Sequence, residues 1–241
     1  MMPGATWTSA ARTHPGKVRA RNEDAFLDSP DQGLWVVADG MGGHHAGDRA
    51  SRLVVESLAE LPATGDFANR LQQLRRHLHW LNRRLADELT VTDGQRRIMG
   101  STVAALLVEG SRAACVWAGD SRCYLWRWGC LYQLTRDHSL LRELIEDQGM
   151  SPEQAGRHPS AHALTRALGG DGDFALDVLE LELHPGDTFL LCSDGLYREL
   201  DEVDLSRALS LASPVATLEQ LFEQALLGTA PDNLTAVVAR R

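Results

Sequence analysis

The chain has 241 residues, 44% of them hydrophobic, which is enough for one large domain with a substantial core. A formal charge of −9 with no offsetting basic patch argues against a nucleic-acid binder, and no run of about 20 apolar residues offers a membrane span. Of its 24 basic residues only Lys17 is lysine, a bias assigned to a GC-rich genome rather than to phosphate recognition.

In chain order, Met1-Met2-Pro3-Gly4-Ala5-Thr6 lacks a basic segment followed by an apolar one, so no secretory signal and a cytoplasmic location are expected. Strand-like runs are predicted at 25–27, 34–38, 102–108, 113–118, 123–128, 176–183, 188–192 and 234–239, with Glu109-Gly110, Trp128-Gly129 and Pro185-Gly186 as turns. Helical patterns fall at 46–61 and 67–92. In the second, Leu71, Leu74, Leu78, Leu81 and Leu85 form a stripe at spacings of three and four. A second helical pair, at 202–211 and 214–227, precedes the last strand. Paired helices between blocks of consecutive strands predict antiparallel sheets with segregated helices, not alternating βα units. Residues 137–172 carry Gly149, Pro152, Gly156, Pro159 and Gly169-Gly170 around one short helix at 139–147, the composition of a mobile surface excursion. No linker or internal repeat divides the chain, so 1–241 is read as one domain.

Cys115, Cys123, Cys130 and Cys192 show neither Cys-x-x-Cys nor zinc spacing, so buried free thiols of a reducing compartment are expected. The spacings Cys130–Arg136 and Cys192–Arg198 enclose no glycine-rich phosphate loop and are read as accidental, leaving no thiolate route.

The chemistry lies in short acidic clusters beside apolar runs. Leu34-Trp35-Val36-Val37-Ala38-Asp39-Gly40 is a buried-strand pattern ending in a carboxylate and a glycine, and Leu190-Leu191-Cys192-Ser193-Asp194-Gly195 repeats it. Taken singly, Asp39 and Asp194 read as strand-end turns, and Asp232 after Pro231 as an Asx turn. As a series they read as the oxygen ligands of a hard cation, with glycine letting the backbone approach.

Seven motifs occur in order: Arg19-Ala20-Arg21-Asn22-Glu23-Asp24, Val37-Ala38-Asp39-Gly40-Met41-Gly42-Gly43-His44, Gly100-Ser101-Thr102, Ala118-Gly119-Asp120-Ser121-Arg122, Leu164-Thr165-Arg166-Ala167-Leu168-Gly169, Ser193-Asp194-Gly195 and Asp232-Asn233-Leu234-Thr235. This series resembles the metal-dependent serine/threonine phosphatases of the type 2C (PPM) family, in its bacterial branch, from about Arg19 to Val238. The resemblance implies an α+β fold, a four-layer αββα sandwich of two antiparallel sheets flanked by helix pairs, with two Mn²⁺ or Mg²⁺ ions at one edge. It implies that Asp39 bridges the ions, that the Gly40 carbonyl binds one of them, and that Asp194 and Asp232 complete the same ion. Glu23 and Asp24 would serve the other side partly through water, and Asp120 would be the outer ligand of a third, weaker ion. Arg19 matches the arginine that clamps the substrate phosphate, where a guanidinium fork does what lysine cannot. The implied reaction is direct attack by a metal-bridging water on phosphoserine or phosphothreonine, without a phosphoenzyme.

Two departures stand out. Where many eukaryotic relatives carry Asp-Gly-His, with the histidine proposed as general acid, this chain has Met41, which donates no proton. Relatives often carry an arginine–asparagine pair near Ala161, whereas here the run is His158-Pro159-Ser160-Ala161-His162. His44 and His45 are read as surface or helix-entry residues, since this site chemistry prefers oxygen. The expected protein is thus a monomeric cytoplasmic phosphatase opposing a bacterial Ser/Thr kinase in signalling or secretion control. The alternatives are a non-catalytic phosphoprotein-binding relative and another two-metal hydrolase such as a nuclease, the latter disfavoured by charge.

Overall fold

The computed structural model describes residues 7–42, 46–88, 99–170 and 174–241. Gly43, His44, His45 and the far end of the helix expected to 92 lie outside those residues. One sheet orders β2 (Asp24–Ser29), β3 (Leu34–Met41), β5 (Val103–Glu109), β6 (Arg112–Ala118) and β9 (Asp177–Glu182), with the short β4 (Gly100–Ser101) paired to β3. The other orders β1 (Thr8–His14), β11 (Leu234–Arg240), β10 (Thr188–Cys192), β7 (Arg122–Arg127) and β8 (Cys130–Gln133). Every pairing is antiparallel. This is the expected α+β sandwich.

Alternation along each strand explains the layers. Trp35, Val37, Leu106, Phe189, Leu191 and Val237 fill the space between the sheets. Val36, Ala38, Ala105 and Leu107 face outward and meet α1 (Ala46–Ala59) and α2 (Phe67–Glu88). Leu190, Cys192, Ala236 and Val238 meet α5 (Asp194–Tyr197), α6 (Glu202–Leu209) and α7 (Pro214–Leu227). Both faces of the central strands are therefore dry, and their sequences read as continuous apolar runs rather than strict alternation. The α2 leucine stripe is buried along its length, each side chain contributing about 1.5–3 kcal/mol.

Four differences from expectation stand out. β1, with sequence TSAARTH, is an edge strand of small and polar residues, so it carries no apolar signal; its register is set by pairing Thr8↔Arg240 through His14↔Leu234. β8 is likewise a four-residue edge. The excursion, described over 137–170, contains two short helices, α3 (Leu140–Glu146) and α4 (Pro152–Gly156), where one was expected. Bridges Ser139↔Leu164 and Ser101↔Leu168 tie its base to the sandwich. Cys115, Cys123 and Cys192 are buried free thiols, but Cys130, on the β8 edge, is exposed.

Candidate metal centre

The alternation that places Trp35 and Val37 between the sheets carries Asp39 to the same face at the sandwich edge. Asp24 lies directly opposite it as its antiparallel partner. The second sheet supplies Asp194 just past the end of β10 and Asp232 just before β11, ends brought together by the pairing Cys192↔Ala236. Asp120 sits in the turn between β6 and β7. The inter-sheet core thus ends in a cap of carboxylates drawn from both sheets.

Side chains just beyond the ends of other strands hold this cap. Ser193 Oγ donates to Asp24 Oδ2 at 2.7 Å and accepts from the Thr235 N–H at 3.0 Å. The Asp39 N–H donates to Thr102 Oγ1 at 2.9 Å, and Thr102 Oγ1 meets Ser121 Oγ at 2.7 Å. Asn233 staples the Asn22-Glu23-Asp24 segment down: its Oδ1 accepts from the Glu23 N–H at 2.8 Å, while its amide donates to the Arg21 and Pro15 carbonyls at 2.8 and 3.0 Å. Two glycines are required for close approach. A Cβ on Gly40 would stand 2.0 Å from the Gly47 carbonyl oxygen of α1, and one on Gly195 would stand 2.1 Å from that of Asn233.

The electrostatics are those of a site built around positive charge. Burial pushes the Asp24 carboxyl up to about 7, with the charges of Asp194 and Asp232 adding and the bonds from Thr235 and Ser193 opposing. Asp120 is also pushed up to about 7, by burial and then by Asp194, against the pull of Arg198. Asp39 is raised by burial and by its four neighbouring aspartates, and Asp194 by burial. Asp24 Oδ1 and Asp194 Oδ1 are buried with no hydrogen-bond partner, a costly state that a bound cation would relieve. The donors are all oxygens, which suits a hard cation. Among the described residues no three His, Cys, Asp or Glu side chains already enclose a common point, so the carboxylates would have to close in on an ion, with main-chain oxygen and water filling the rest of its shell.

The predicted residues Arg19, Glu23, Asp39, Gly40, Asp120, Asp194 and Asp232 line one cleft of about 450 Å³, and Asp24 lies buried beneath it. Arg19 Nη2 stands 2.8 Å from Asp232 Oδ2 on the rim, more than half exposed. Three participants escaped the sequence reading. Arg198 Nη2 bridges Asp194 Oδ2 at 3.0 Å and Asp120 Oδ2 at 3.4 Å. Tyr197 Oη donates to the Asp120 carbonyl at 3.0 Å, its ring lying 3.6 Å from the Arg122 guanidinium that pairs with Asp137. His162 enters the cleft from the excursion side. The i,i+4 spacing Asp194–Arg198 on a short helix was the available signal for Arg198; His162 had none beyond its place in a departed motif. Arg198 serves carboxylates, and burial pushes the Cys192 thiol up to about 12, so that Cys–Arg spacing supports no thiolate chemistry. Arg136, the partner in the other spacing, pairs with Glu146.

A profile of the family described as Protein phosphatase 2C matches residues 16–236. The serine/threonine protein phosphatase PstP of Mycobacterium tuberculosis is 37% identical over 230 residues, covering 95% of this chain. The chain spans only 44% of that relative's length. A PstP catalytic-domain structure in complex with two manganese ions superposes at a TM-score of 0.81, with 35% identity and 97% coverage of both chains. The serine/threonine phosphatase stp of Listeria monocytogenes is 32% identical, with coverage of 95% and 94%. The structure of PppA, a key regulatory component of the T6SS in Pseudomonas aeruginosa, superposes at a TM-score of 0.90 with 43% identity and 98% coverage of both chains.

Proposed function

This chain belongs to the protein phosphatase 2C family, and from that premise we propose that it hydrolyses phosphoserine and phosphothreonine in proteins with Mn²⁺ or Mg²⁺. One observation carries the reading: the aspartates of both sheets meet with two buried, partnerless carboxylate oxygens beside a rim arginine. Asp39 would bridge two ions and the Gly40 carbonyl would bind one of them, with Asp194 and Asp232 completing that ion. Glu23 and Asp24 would serve the other side, in part through water, and Asp120 a third, weaker ion. Bound ions would supply charge to stabilise the transferring phosphoryl group and activate the attacking water.

The chain's own residues do the positioning. Thr102 and Ser101 fix the Asp39 backbone, Ser101 Oγ donating to its carbonyl at 3.2 Å. Arg198 holds Asp120 and Asp194 apart from each other's charge. Arg19, with its head at the rim, can leave Asp232 and take two phosphate oxygens through its fork. Among the described cleft residues the one hydroxyl, Thr102, is engaged with the Asp39 N–H and Ser121, which favours direct attack by water over a phosphoenzyme.

The physiological reading is a cytoplasmic monomer, one domain with a flap at 137–172, acting on phosphoproteins in opposition to a Ser/Thr kinase. Its likeness to PppA favours the secretion-control branch of that expectation. The intact carboxylate set argues against a non-catalytic phosphoprotein-binding relative. The test is hydrolysis of an aryl phosphate and of phosphoserine and phosphothreonine peptides with Mn²⁺ or Mg²⁺, with and without chelator. Turnover that requires the metal is expected; none with any divalent ion sinks the proposal.

A further inference from the structure

Breaking a phosphate ester of serine leaves an alkoxide, a base far too strong to depart without a proton. The described cleft wall offers few sources. Met41 has a thioether, Arg19 does not give up its proton near neutrality, and the Asn233 amide is committed to two carbonyls. The Thr102 hydroxyl is held between the Asp39 N–H and Ser121. The carboxylates are assigned to cations.

His162 differs from all of these. It lines the same cleft, and its imidazole has no hydrogen bond or ion pair among the described residues. Its main chain, by contrast, is clamped on both sides. The Ala161 carbonyl accepts from the Leu141 N–H at 2.7 Å and the Ala163 carbonyl from the Leu140 N–H at 2.9 Å, both in the first turn of α3. Ala161 is buried, whereas His162 is exposed and lines the cleft. The charged groups facing it across the cleft are Arg19, Glu23, Asp39, Asp120, Asp194 and Asp232. A free imidazole on a fixed platform, opposite a phosphate site, is placed to exchange a proton there.

Resting on the phosphatase reading, we infer that His162 is a catalytic residue: the general acid that protonates the leaving seryl or threonyl oxygen. The bond from phosphorus to that oxygen breaks as the bond from the attacking water forms. The departing oxygen keeps the electron pair and takes the His162 proton, the water's proton passes to solvent, and the neutral imidazole is reprotonated from solvent. The role belongs to the flap, so proton delivery is coupled to whichever peptide the flap accepts.

The experiment compares wild type, His162→Gln and His162→Ala on a phosphoserine peptide and on p-nitrophenyl phosphate, whose leaving group needs no proton, with Mn²⁺ present. General acid catalysis is worth 10²–10⁴-fold, so kcat on the peptide should fall roughly 10²-fold in both variants, a loss at least about tenfold larger than on the aryl ester. The alkaline limb of the peptide pH–kcat profile should vanish in the variants, and added imidazole should restore part of the peptide turnover of His162→Ala. Equal losses on both substrates, a loss confined to KM, or an unchanged alkaline limb overturns the inference while leaving the phosphatase standing. A wild type inactive on both substrates overturns both. Melting temperatures of the variants, whose substituted side chain is exposed and unbonded, separate a chemical loss from a folding defect.

Discussion

The carboxylate floor and the excursion that carries His162 and Leu164 line one cleft, but they are held by different forces. Each floor aspartate stands at or beside the end of a strand and is held by side chains just beyond other strand ends, as Ser193, next after β10, holds Asp24. The flap is fixed chiefly at its base, where His138 Nδ1 accepts the Gly119 N–H at 3.1 Å and its Nε2–H donates to Asp177 at 3.1 Å. Further out, its contacts include exposed pairs such as Arg157–Glu153, worth about 0.2–1 kcal/mol. The floor cannot change without disturbing the sandwich core, whereas the exposed outer positions of the flap, such as Glu153 and Arg157, can. We therefore expect substrate choice to reside in the flap and the shared chemistry in the floor.

Asp39→Asn tests the floor most severely. Metal-dependent turnover of an aryl phosphate should fall about 10²-fold or more, comparable to losing one preorganised transition-state contact. The metal-free variant should melt at a higher temperature than wild type, because one of the crowded negative charges is gone. A variant that loses both activity and stability would make Asp39 a folding residue, and the contrast with the flap would collapse.

The next effect is pH-dependent. The folded chain binds the protons of Asp24 and Asp120 more tightly than the unfolded chain, since both carboxyls are pushed up to about 7. Their contribution to metal-free stability is present below the ordinary carboxylate pKa of about 3.9 and is lost as pH rises through about 7. Thermal melting with chelator should accordingly worsen from pH 5 to pH 8. Mn²⁺ at about 100 times its Kd should return about 2.7 kcal/mol at pH 8 and much less at pH 5, where protons compete for the same oxygens. A metal-free melting temperature that rises across this range would show that the floor carboxylates are not the strained element.

Arg19→Lys probes the rim between the two regions. Lysine keeps the charge but loses the fork, so kcat/KM should drop roughly tenfold, equivalent to about 1.4 kcal/mol of transition-state binding. Inhibition by inorganic phosphate should weaken in parallel. An unchanged phosphate affinity would move the clamp to another residue.

The same division governs how much could be read from the chain. Strands dry on both faces announce themselves as apolar runs, and a carboxylate followed by glycine at the end of such a run, as at Asp39 and Asp194, is legible because the strand fixes where it points. β1 and β8 were invisible because an edge strand borrows its structure from its neighbour, as β1 does from β11. For Arg198 the i,i+4 spacing to Asp194 is legible, but its second partner, Asp120, lies 78 residues away, and no local period records that pairing. His162 is harder still. Its direction depends on two carbonyls bonded to α3, a tertiary fact with no trace in composition or spacing.

The smallest effect should fall on α4. Ser151 Oγ accepts from the Gln154 N–H at 3.2 Å and the Gln154 side chain accepts from the Ser151 N–H at 3.3 Å, closing a capping box over a five-residue helix that opens on Pro152. Ser151→Ala removes the first of these bonds, a loss of about 1 kcal/mol. If the flap opens independently of the sandwich, that loss should appear locally: amide exchange across 152–163 should quicken about fivefold, while the global melting temperature and aryl phosphate turnover hold. Phosphopeptide turnover should fall slightly, because Ala161 and the His162 platform follow directly on this helix. If the melting temperature instead drops by several degrees, the flap unfolds with the core as one unit, and the independence that would let it vary with substrate is absent.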